Sequence, residues 1–321
     1  MRRSFAVLLL FLALPLASAD RVSDICPALS FAQPGQMEPL IAKATDLPVR
    51  ILAFGDFGDG GRTQLDLARA MAEYGRRQPF DLGITLGDNF YETGLNSPTH
   101  PRWASDWETP YAPLGIRFYA TLGNHDYADP SSPGAEMERS RLSASWCLPH
   151  PYYSFTAGPV QLFALDTEPV RRLDGAYIEA QKRWLENALE KSQSPWKVVY
   201  GHHPIYSTGQ HGDTPELIAE ILPLLQKHKV DVYLAGHEHD LQALQPEGGV
   251  YFFVSGAGGH GLRDVTSRTT CREWALGRFA GFTVLDANAT EMKVLFVGSD
   301  AQVVKGFTLK KGVPAMPECP R

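Results

Sequence analysis

The sequence predicts an α/β fold in which two mixed β-sheets face each other and helices flank them. Up to about residue 235, strand-like hydrophobic runs alternate with segments whose apolar residues recur at helical spacing. Beyond that point the runs are almost all strand-like, which adds antiparallel β-structure to the alternating units. Five of the runs are followed at once by a short polar segment, and such segments meet at the carboxyl edge of an α/β sheet. Together these observations favour a four-layer α/β/β/α sandwich.

The strands are identified as short apolar runs, rich in β-branched and aromatic residues and bounded by turn-forming residues. In chain order they are Val49–Phe54, Asp81–Leu86, Ile116–Leu122, Tyr152–Phe155, Val160–Asp166, Lys197–Tyr200, Val230–Ala235, Phe252–Ser255, Phe279–Asp286 and Glu291–Val297. The helices are identified by an apolar face and are Thr63–Arg77, Ala176–Lys191 and Glu216–Lys229. The turn Ala157-Gly158-Pro159 predicts an antiparallel hairpin, and Glu92–Pro113 is interpreted as a polar loop with three aromatic residues.

The chain has 321 residues, 44% of them hydrophobic and 21% charged, which suits one large soluble domain or two small ones. Residues 48–321 are predicted to form a single domain, because a division would separate the polar segments from one another. Residues 20–47 are rich in Pro and small residues and are interpreted as an irregular lead-in. The formal net charge of −6 argues against binding to a nucleic-acid scaffold. A monomer is expected.

Residues 1–19 have the parts of a secretory signal peptide. Arg2 and Arg3 precede an apolar run, Phe5–Leu16, and Ala17-Ser18-Ala19 forms a small-residue cleavage site. The run is short for a bilayer span, and the alternative is an uncleaved N-terminal anchor. We therefore expect an exported protein, periplasmic or secreted, with no stable membrane anchor after cleavage.

Export would place the four cysteines, Cys26, Cys147, Cys271 and Cys319, in an oxidising compartment. An even number of cysteines there predicts two disulfides. Three pairings are possible and the sequence does not choose among them. Our preference is Cys26–Cys319, which would tie the two ends of the chain, together with Cys147–Cys271.

The five polar segments carry side chains that bind metal ions. They read Gly55-Asp56-Phe57-Gly58, Gly87-Asp88-Asn89-Phe90-Tyr91, Gly123-Asn124-His125-Asp126, Val199-Tyr200-Gly201-His202 and Gly236-His237-Glu238-His239. Their donors are the oxygens of Asp56, Asp88, Tyr91 and Asn124 and the imidazole nitrogens of His202, His237 and His239. One such segment occurs by chance, but five in series predict a two-metal centre that activates water against phosphorus or carbonyl esters.

In order and type, the segments resemble the metallophosphoesterase superfamily, and more narrowly the small, tartrate-resistant form of the purple acid phosphatases. The resemblance covers the chain from about Ile51 to Val297. It implies one metal ion on Asp56, Asp88, Tyr91 and His239, and a second on Asp88, Asn124, His202 and His237, with Asp88 bridging. The family pattern Val-x-x-His fits Val199 to His202, which leaves the adjacent His203 as a packing or solvent-facing neighbour.

The two ligand sets imply different metal ions. The first set, three anionic oxygens and one imidazole, suits Fe3+, whereas the second suits Fe2+, Zn2+ or Mn2+. Tyr91 discriminates between members of the superfamily, since a phenol with a pKa near ~10 binds as phenolate only to a strongly polarising ion. The alternative for Tyr91 is an aromatic side chain that packs beside the site.

Two further histidines are predicted to act on the substrate. His125 follows Asn124 directly, and His211 lies nine residues after His202, a spacing that resembles the substrate-contacting histidine of the family. Either can bind phosphate oxygens or protonate the leaving alkoxide. The alternatives are a packing role for His125 and a surface-loop position for His211.

Three more residues are expected to lie outside the metal shell. His260 lies in a glycine-rich turn, Ser255–His260, that is expected to be a flexible loop; the alternative is a close approach of this turn to the site. Asp126 is expected to form hydrogen bonds behind the site, and Asp166 is left outside the metal shell.

The resemblance implies an acid phosphatase that hydrolyses small phosphomonoesters by attack of a metal-activated hydroxide, with an acidic pH optimum. The alternative enzyme is a metallophosphodiesterase acting on nucleotides or phospholipid head groups, with the same ligands and a more open cleft. The loop that carries Trp103 and Trp107 is suited to shape the pocket of either enzyme. An alternative from another class is a secreted binding protein with a metal-capture or adhesive role. A peroxide-dependent side activity is allowed by the resemblance and left unranked.

Overall fold

The computed structural model describes residue 26 and residues 40–43, 47–266 and 272–313. The predicted leader, 1–19, lies outside the described residues, as do most of the lead-in and two of the cysteines, Cys271 and Cys319. In the part of the chain that is described, no helix is both long and apolar enough to cross a membrane.

The strands form two mixed sheets. In chain order they are β1 (Leu40–Lys43), β2 (Val49–Phe54), β3 (Leu82–Thr85), β4 (Phe118–Tyr119), β5 (Trp146–Cys147), β6 (Tyr153–Ala157), β7 (Val160–Ala164), β8 (Trp196–Gly201), β9 (Val232–Ala235), β10 (Leu241–Glu247), β11 (Val250–Ser255), β12 (Arg272–Leu276), β13 (Gly281–Ala287), β14 (Glu291–Gly298) and β15 (Val303–Lys310). One sheet has eight strands in the order β1-β6-β7-β8-β9-β11-β10-β12, and the other has seven in the order β15-β14-β13-β2-β3-β4-β5.

Each sheet contains a block of parallel strands with antiparallel strands beside it, and in the seven-stranded sheet this block runs from the central strand β2 to the edge strand β5. Strands β7, β8, β9 and β11 run parallel in the larger sheet, as do β2 to β5 in the smaller one. The predicted hairpin is confirmed, since β6 and β7 pair antiparallel, and the later strands β13 and β14 also pair antiparallel. The parallel strands therefore present their carboxyl ends together, where polar side chains can converge.

Helices cover the sandwich. They are α1 (Arg62–Arg77), α2 (Thr109–Tyr111), α3 (Ser132–Arg139), α4 (Glu168–Arg171), α5 (Gly175–Lys191), α6 (Pro215–Glu220) and α7 (Leu222–Lys227), with a π-helical segment at Trp103–Glu108 and a 3-10 turn at Ala112–Leu114. Helix α1 lies against the seven-stranded sheet, where the rings of Tyr74 and Phe282 meet edge to face at 5.9 Å. The predicted α/β/β/α architecture is confirmed.

Successive side chains of the central strands point to opposite faces of the sheet. The core therefore has two layers, one between the two sheets and one between a sheet and its helices. In β8, Val198 and Tyr200 belong to the core between the sheets, and the Tyr200 hydroxyl donates to the Tyr119 carbonyl of the opposite sheet at 3.3 Å. Val199, which points the other way, packs with Leu185 and Leu189 of α5. Each such fully buried aliphatic side chain contributes about 1.5–3 kcal/mol to stability.

The region predicted as a polar loop, Glu92–Pro113, is instead partly helical. Its aromatic residues Trp103, Trp107 and Tyr111 are buried, and the two indoles pack on Trp146 with ring centroids 5.1 and 4.8 Å apart. The prediction was wrong because the spacing of four residues between these aromatics is a helical stripe. The two tryptophans therefore build core and do not shape a substrate pocket.

Other differences have local causes. The predicted helix Glu216–Lys229 is divided into α6 and α7, and Pro223, which has no N–H to donate, lies in the first turn of α7. The predicted strand Ile116–Leu122 is paired only over Phe118–Tyr119. Elements that the sequence analysis did not identify are β1, β5, β10, β12, β15, α3 and α4.

The preferred disulfide pairing was wrong. Cys26 is bonded to Cys147, with Cα atoms 5.3 Å apart, across 121 residues of sequence. Cys147 lies in β5, at the edge of the seven-stranded sheet, and both cysteines are buried. Spacing in the sequence carries no information on which segment passes this edge, and therefore could not choose the partner.

Candidate metal centre

The predicted ligands lie at the carboxyl ends of the central strands. Asp56 and Asp88 follow β2 and β3 of one sheet, and His202 and His237 follow β8 and β9 of the other. Asp56, Asp88 and His237 have positive φ angles of 59°, 49° and 69°, which turn each side chain sharply at its strand end. Such strain in non-glycine residues is typical of functional sites.

Glycines leave room for the two carboxylates. A Cβ atom on Gly123 would lie 2.2 Å from Asp88 Oδ1, and one on Gly236 would lie 2.6 Å from Asp56 Oδ2. Both distances are far shorter than a van der Waals contact, so no larger residue fits without displacing an acid. This explains the glycine that precedes the polar residue in these segments.

One group of donors surrounds the Tyr91 hydroxyl. Its oxygen lies 3.0 Å from Asp88 Oδ2, 3.2 Å from Asp56 Oδ1 and 3.2 Å from His239 Nε2. His239 Nδ1 is 3.0 Å from the carbonyl oxygen of Gly261, which can only accept, so this nitrogen carries the proton and Nε2 presents a lone pair. We call Asp56, Asp88, Tyr91 and His239 the first donor set.

A second group surrounds His202 Nε2. This atom lies 3.1 Å from Asn124 Oδ1, 3.1 Å from His237 Nδ1 and 3.4 Å from Asp88 Oδ2. His202 Nδ1 lies 2.8 Å from the carbonyl oxygen of Leu86, which orients the ring so that Nε2 faces the other donors. We call Asp88, Asn124, His202 and His237 the second donor set; Asp88 belongs to both sets.

Without a bound cation, the buried carboxylates and imidazoles of the two donor sets shift one another's pKa values. Burial raises the pKa of Asp56 well above its ordinary value. Burial acts in the same direction on Asp88, but the charge of His202 and its hydrogen bond outweigh it and lower the pKa of Asp88. Burial by itself would lower the pKa of His202, yet the carboxylates of Asp88 and Asp56 raise it to about 10.

Two cations fit this arrangement. Buried carboxylates, imidazoles with one nitrogen already satisfied, an amide oxygen and a phenol form the donor set that metal ions of intermediate hardness prefer. Burial and the charges of Asp56 and Asp88 raise the pKa of Tyr91 well above its ordinary value, and burial lowers the pKa of His239 to about 4. Bound cations would replace the proton on His202 and compensate both carboxylates.

His125 lies beside both donor sets. Its backbone N–H donates to Asp88 Oδ1 at 2.8 Å, and its ring centroid is 4.5 Å from that of Tyr91. Ring Nδ1 is 2.6 Å from the carbonyl oxygen of Glu92, so Nδ1 carries a proton and Nε2 is left for the substrate side.

His211 lies on the second donor set. Its ring stacks on that of His237 with centroids 4.1 Å apart, and its backbone N–H donates to the buried carboxylate of Glu238 at 2.8 Å. Burial lowers the pKa of His211. A cleft of about 440 Å³ opens here and is lined by Asn124, Arg171, His203, His211, Asp213 and His237, among others. The structure thus places His211 in this cleft, against a residue of the second donor set.

Two further histidines pack against the donor sets. His260 is not in a free loop: its ring stacks on Tyr91 at 3.7 Å between centroids, and Nδ1 lies 3.0 Å from Asp59 Oδ2. The glycine-rich turn that precedes His260 was the signal in the sequence for this close approach. His203 is a buried packing neighbour, which is one of its two predicted roles, and its Nδ1 lies 2.9 Å from Thr167 Oγ1.

The two remaining aspartates behave as expected. Asp126 accepts hydrogen bonds from the backbone N–H groups of Gly123 and Asn89 at 2.8 and 2.9 Å, and so holds the loops on which the ligands lie. Asp166 accepts from the hydroxyls of Tyr127 and Tyr177 at 2.5 and 2.6 Å, away from both donor sets.

Sequence comparison identifies the class of protein that this fold and site define. The sequence model of the calcineurin-like phosphoesterase family matches residues 49–241. Purple acid phosphatase 17 of Arabidopsis thaliana is 32% identical over 296 residues, which cover 84% of this chain and 84% of that protein. Tartrate-resistant acid phosphatase type 5 of Homo sapiens is 32% identical over 248 residues, 68% of this chain and 76% of that protein. The chain belongs to the calcineurin-like phosphoesterases and, within them, to the purple acid phosphatases, which are hydrolases.

Solved structures support the fold. The purple acid phosphatase PPD1 of yellow lupin superposes with a TM-score of 0.68 at 19% identity, over 85% of this chain and 55% of that one. GAP50, described as the anchor in the inner membrane complex of Plasmodium, superposes with a TM-score of 0.70 at 19% identity, over 84% of this chain and 90% of that one. At such identities the likeness concerns the fold alone.

Proposed function

We propose that this protein is an exported acid phosphatase that hydrolyses phosphomonoesters at two metal ions held by the first and second donor sets. The observation that carries the proposal is the position of Asp88, whose Oδ2 lies 3.0 Å from Tyr91 Oη and 3.4 Å from His202 Nε2. A carboxylate between two groups of donors can bridge two cations. The donors of this one centre come from segments spread between Asp56 and His239, which supports a single domain over 48–321.

The first donor set supports a trivalent ion. It offers two carboxylates and a phenol beside one imidazole, whereas the second offers two imidazoles, an amide and the shared carboxylate. Because the surroundings of Tyr91 raise the pKa of its phenol, only a strongly polarising ion such as Fe3+ would bind it as phenolate. Fe2+, Zn2+ or Mn2+ suits the second set.

Metal ions bound at the two sets would neutralise phosphate charge and activate a water molecule for attack on phosphorus. The residues of the chain would orient the ester and supply protons. His125, with Nδ1 fixed on the Glu92 carbonyl, presents Nε2 to protonate the departing alcohol oxygen. His211, stacked on His237, lines the cleft beside the second set and is placed to bind phosphate oxygens.

Export is supported by the predicted signal peptide and by the buried Cys26–Cys147 disulfide, since such bonds persist in oxidising compartments. Release of residues 1–19 is measured by the N-terminal sequence of the protein recovered from a secreting host. A protein that retains Met1 and stays with membranes would contradict this part of the proposal.

The proposed reaction is tested with p-nitrophenyl phosphate and bis(p-nitrophenyl) phosphate, which share a chromophore. We expect faster cleavage of the monoester, an acidic optimum, and a loss of more than about 100-fold in Asp88→Asn, since even residues that only support a ligand are worth 10–100-fold. Asp300→Asn, at an exposed turn, is the matched control and should retain full activity.

Three results would contradict the proposal in different ways. Preferential cleavage of the diester would favour the phosphodiesterase alternative. Unchanged activity in Asp88→Asn would show that this carboxylate does not bridge metal ions. Metal binding without hydrolysis of either ester would favour the alternative of a secreted binding protein with a metal-capture or adhesive role.

A further inference from the structure

Arg263 is a cation at the edge of the candidate site that has no carboxylate partner among the described residues. Its Nη1 lies 3.2 Å from Nδ1 and 3.1 Å from Nε2 of His211, and donates to whichever ring nitrogen is unprotonated. The neighbouring acid, Asp264, pairs instead with Arg278 at 2.6 Å. The positive charge of Arg263 is therefore not balanced by an acid on its own loop.

The position of Arg263 is fixed through its backbone. Its N–H donates to the carbonyl of His239, a member of the first donor set, at 3.1 Å, and its carbonyl accepts from the N–H of Arg278 at 2.7 Å. The loop that carries it is also bonded to the loop that carries His211, since the N–H of Thr266 donates to the carbonyl of Thr208 at 2.9 Å. Arg263 is thus connected to both donor sets. Its backbone is hydrogen-bonded to the first set, and its side chain reaches the second set through His211.

His211 is held as firmly on its side. The buried Glu238 carboxylate accepts from the backbone N–H groups of His211 and Gly212 at 2.8 and 3.0 Å and from the Ser207 hydroxyl at 3.0 Å. The ring rests on His237 of the second donor set. The contact between Arg263 and His211 therefore joins two loops whose backbones are fixed by hydrogen bonds.

The chemistry of the pair suits an anion. A guanidinium carries five N–H donors, and a neutral imidazole can accept from it at one ring nitrogen only, so most of the donors of Arg263 are not used by His211. A planar guanidinium matches the geometry of phosphate as well as of carboxylate, and binds either through two parallel hydrogen bonds. An arginine held near His211 without an acidic partner is therefore suited to the phosphate group that the centre acts on.

We propose that Arg263 binds non-bridging phosphate oxygens of the substrate and of the product orthophosphate, and that it forms with His211 the anion-binding side of the site. The inference rests on the proposed function, because it assigns the group that the two donor sets would act on. Arg263 is then a further residue that determines affinity for phosphate, and specificity for esters that carry at least two free phosphate oxygens.

The test compares Arg263→Gln and Arg263→Lys with wild type, all loaded with metal ions. Arg69→Gln, which removes the same charge from an exposed position on α1, is the matched control. The first readout is equilibrium binding of inorganic phosphate by calorimetry, and the second is KM and kcat for p-nitrophenyl phosphate. Urea midpoints show whether each variant is folded.

We expect Arg263→Gln to raise the Kd for phosphate by about 10–100-fold, as the loss of a hydrogen bond to a charged group predicts. KM should rise by a similar factor and kcat should fall less. Arg263→Lys keeps the charge but loses the fork of donors, so its Kd and KM should lie between those of wild type and Arg263→Gln. Arg69→Gln should have the Kd and KM of wild type.

Unchanged phosphate affinity in Arg263→Gln would overturn the inference and leave the proposed function standing. An unchanged Kd with a lower urea midpoint would also overturn it, because Arg263 would then only support the His211 loop. A wild-type protein that cleaves no monoester and binds no phosphate would overturn the proposed function, and this inference with it.

Discussion

The sharpest consequence of the structure concerns the Tyr91 hydroxyl, which Tyr91→Phe would remove with little change in volume. Its oxygen lies within 3.0 to 3.2 Å of donor atoms from Asp56, Asp88 and His239, so the hydroxyl is at the centre of the first donor set. If Fe3+ binds there as proposed, the phenolate is the group that gives the protein its colour. The Phe variant should therefore lose the visible charge-transfer band completely.

The same variant should change the stability of the metal-free protein by a calculable amount. The hydroxyl can donate to one carboxylate at a time, and a hydrogen bond to a charged group contributes about 1.5–3 kcal/mol. Tyr91 is 4% exposed, so water does not replace the lost donor readily. We expect the free energy of unfolding of the apoprotein to fall by about 1.5–3 kcal/mol.

The assay combines a visible absorption spectrum, metal content per chain and urea unfolding of the apoprotein. Tyr111→Phe is the matched control, because Tyr111 is equally buried but its hydroxyl accepts from a neutral amide, Gln64 Nε2, at 3.4 Å. The control should keep the spectrum and lose less than about 1 kcal/mol.

Two results would refute the reasoning about Tyr91. A band that survives in Tyr91→Phe would show that another group binds the iron. A colourless wild type with a full complement of bound metal would indicate a divalent pair, and Tyr91 would then be a packing residue beside the site.

Three further predictions concern stability. Burial raises the pKa of Asp166 to about 7, so its contribution is complete below its unfolded value near 4 and is lost as the pH rises through about 7. Urea unfolding at about pH 4.5 and pH 8 should therefore show a pH dependence that is roughly 3–5 kcal/mol smaller in Asp166→Asn; equal dependence in both proteins would contradict this. Cys147→Ser should lower the free energy of unfolding by about 2–5 kcal/mol. A reducing agent should lower the free energy of unfolding of the wild type by the same amount. An unchanged Tm on reduction would argue against the Cys26–Cys147 bond. A chelator should lower the Tm, because Asp56 and Asp88 then lose their compensating charge. Metal ion added at 100 times its Kd should restore about 2.7 kcal/mol of the free energy of unfolding. A Tm that does not respond would mean that the two donor sets hold no ion.

Much of the fold could be predicted because the central strands are short, uninterrupted apolar runs. Strand β2 was predicted with its observed bounds, and α5 within one residue of them. The segment Trp103–Tyr111 was missed because polar residues between the aromatics hid a helical stripe. Strands β10 and β15 were missed because their position depends on pairing with β11 and β14, which no local pattern records.

The residues of the site likewise differ in how far the sequence predicts their position. Residues that directly follow a strand, such as Asp56, Asp88 and His202, could be assigned because a strand end fixes where its next residue lies. His260 and Arg263 follow β11 as well, but through a longer loop. The glycine-rich turn indicated only that His260 can come close to the site, and the contact of Arg263 with His211 could not be predicted.

The sequence by itself determined the chemistry of this protein: the types of donor, their order along the chain and their place behind consecutive strands. Only the tertiary structure decided which cysteine meets Cys26 and which arginine reaches His211. The physical reason is the distance along the chain over which each position is set. The residue behind a strand is positioned by backbone geometry over a few residues, whereas these two contacts bring together segments 121 and 52 residues apart.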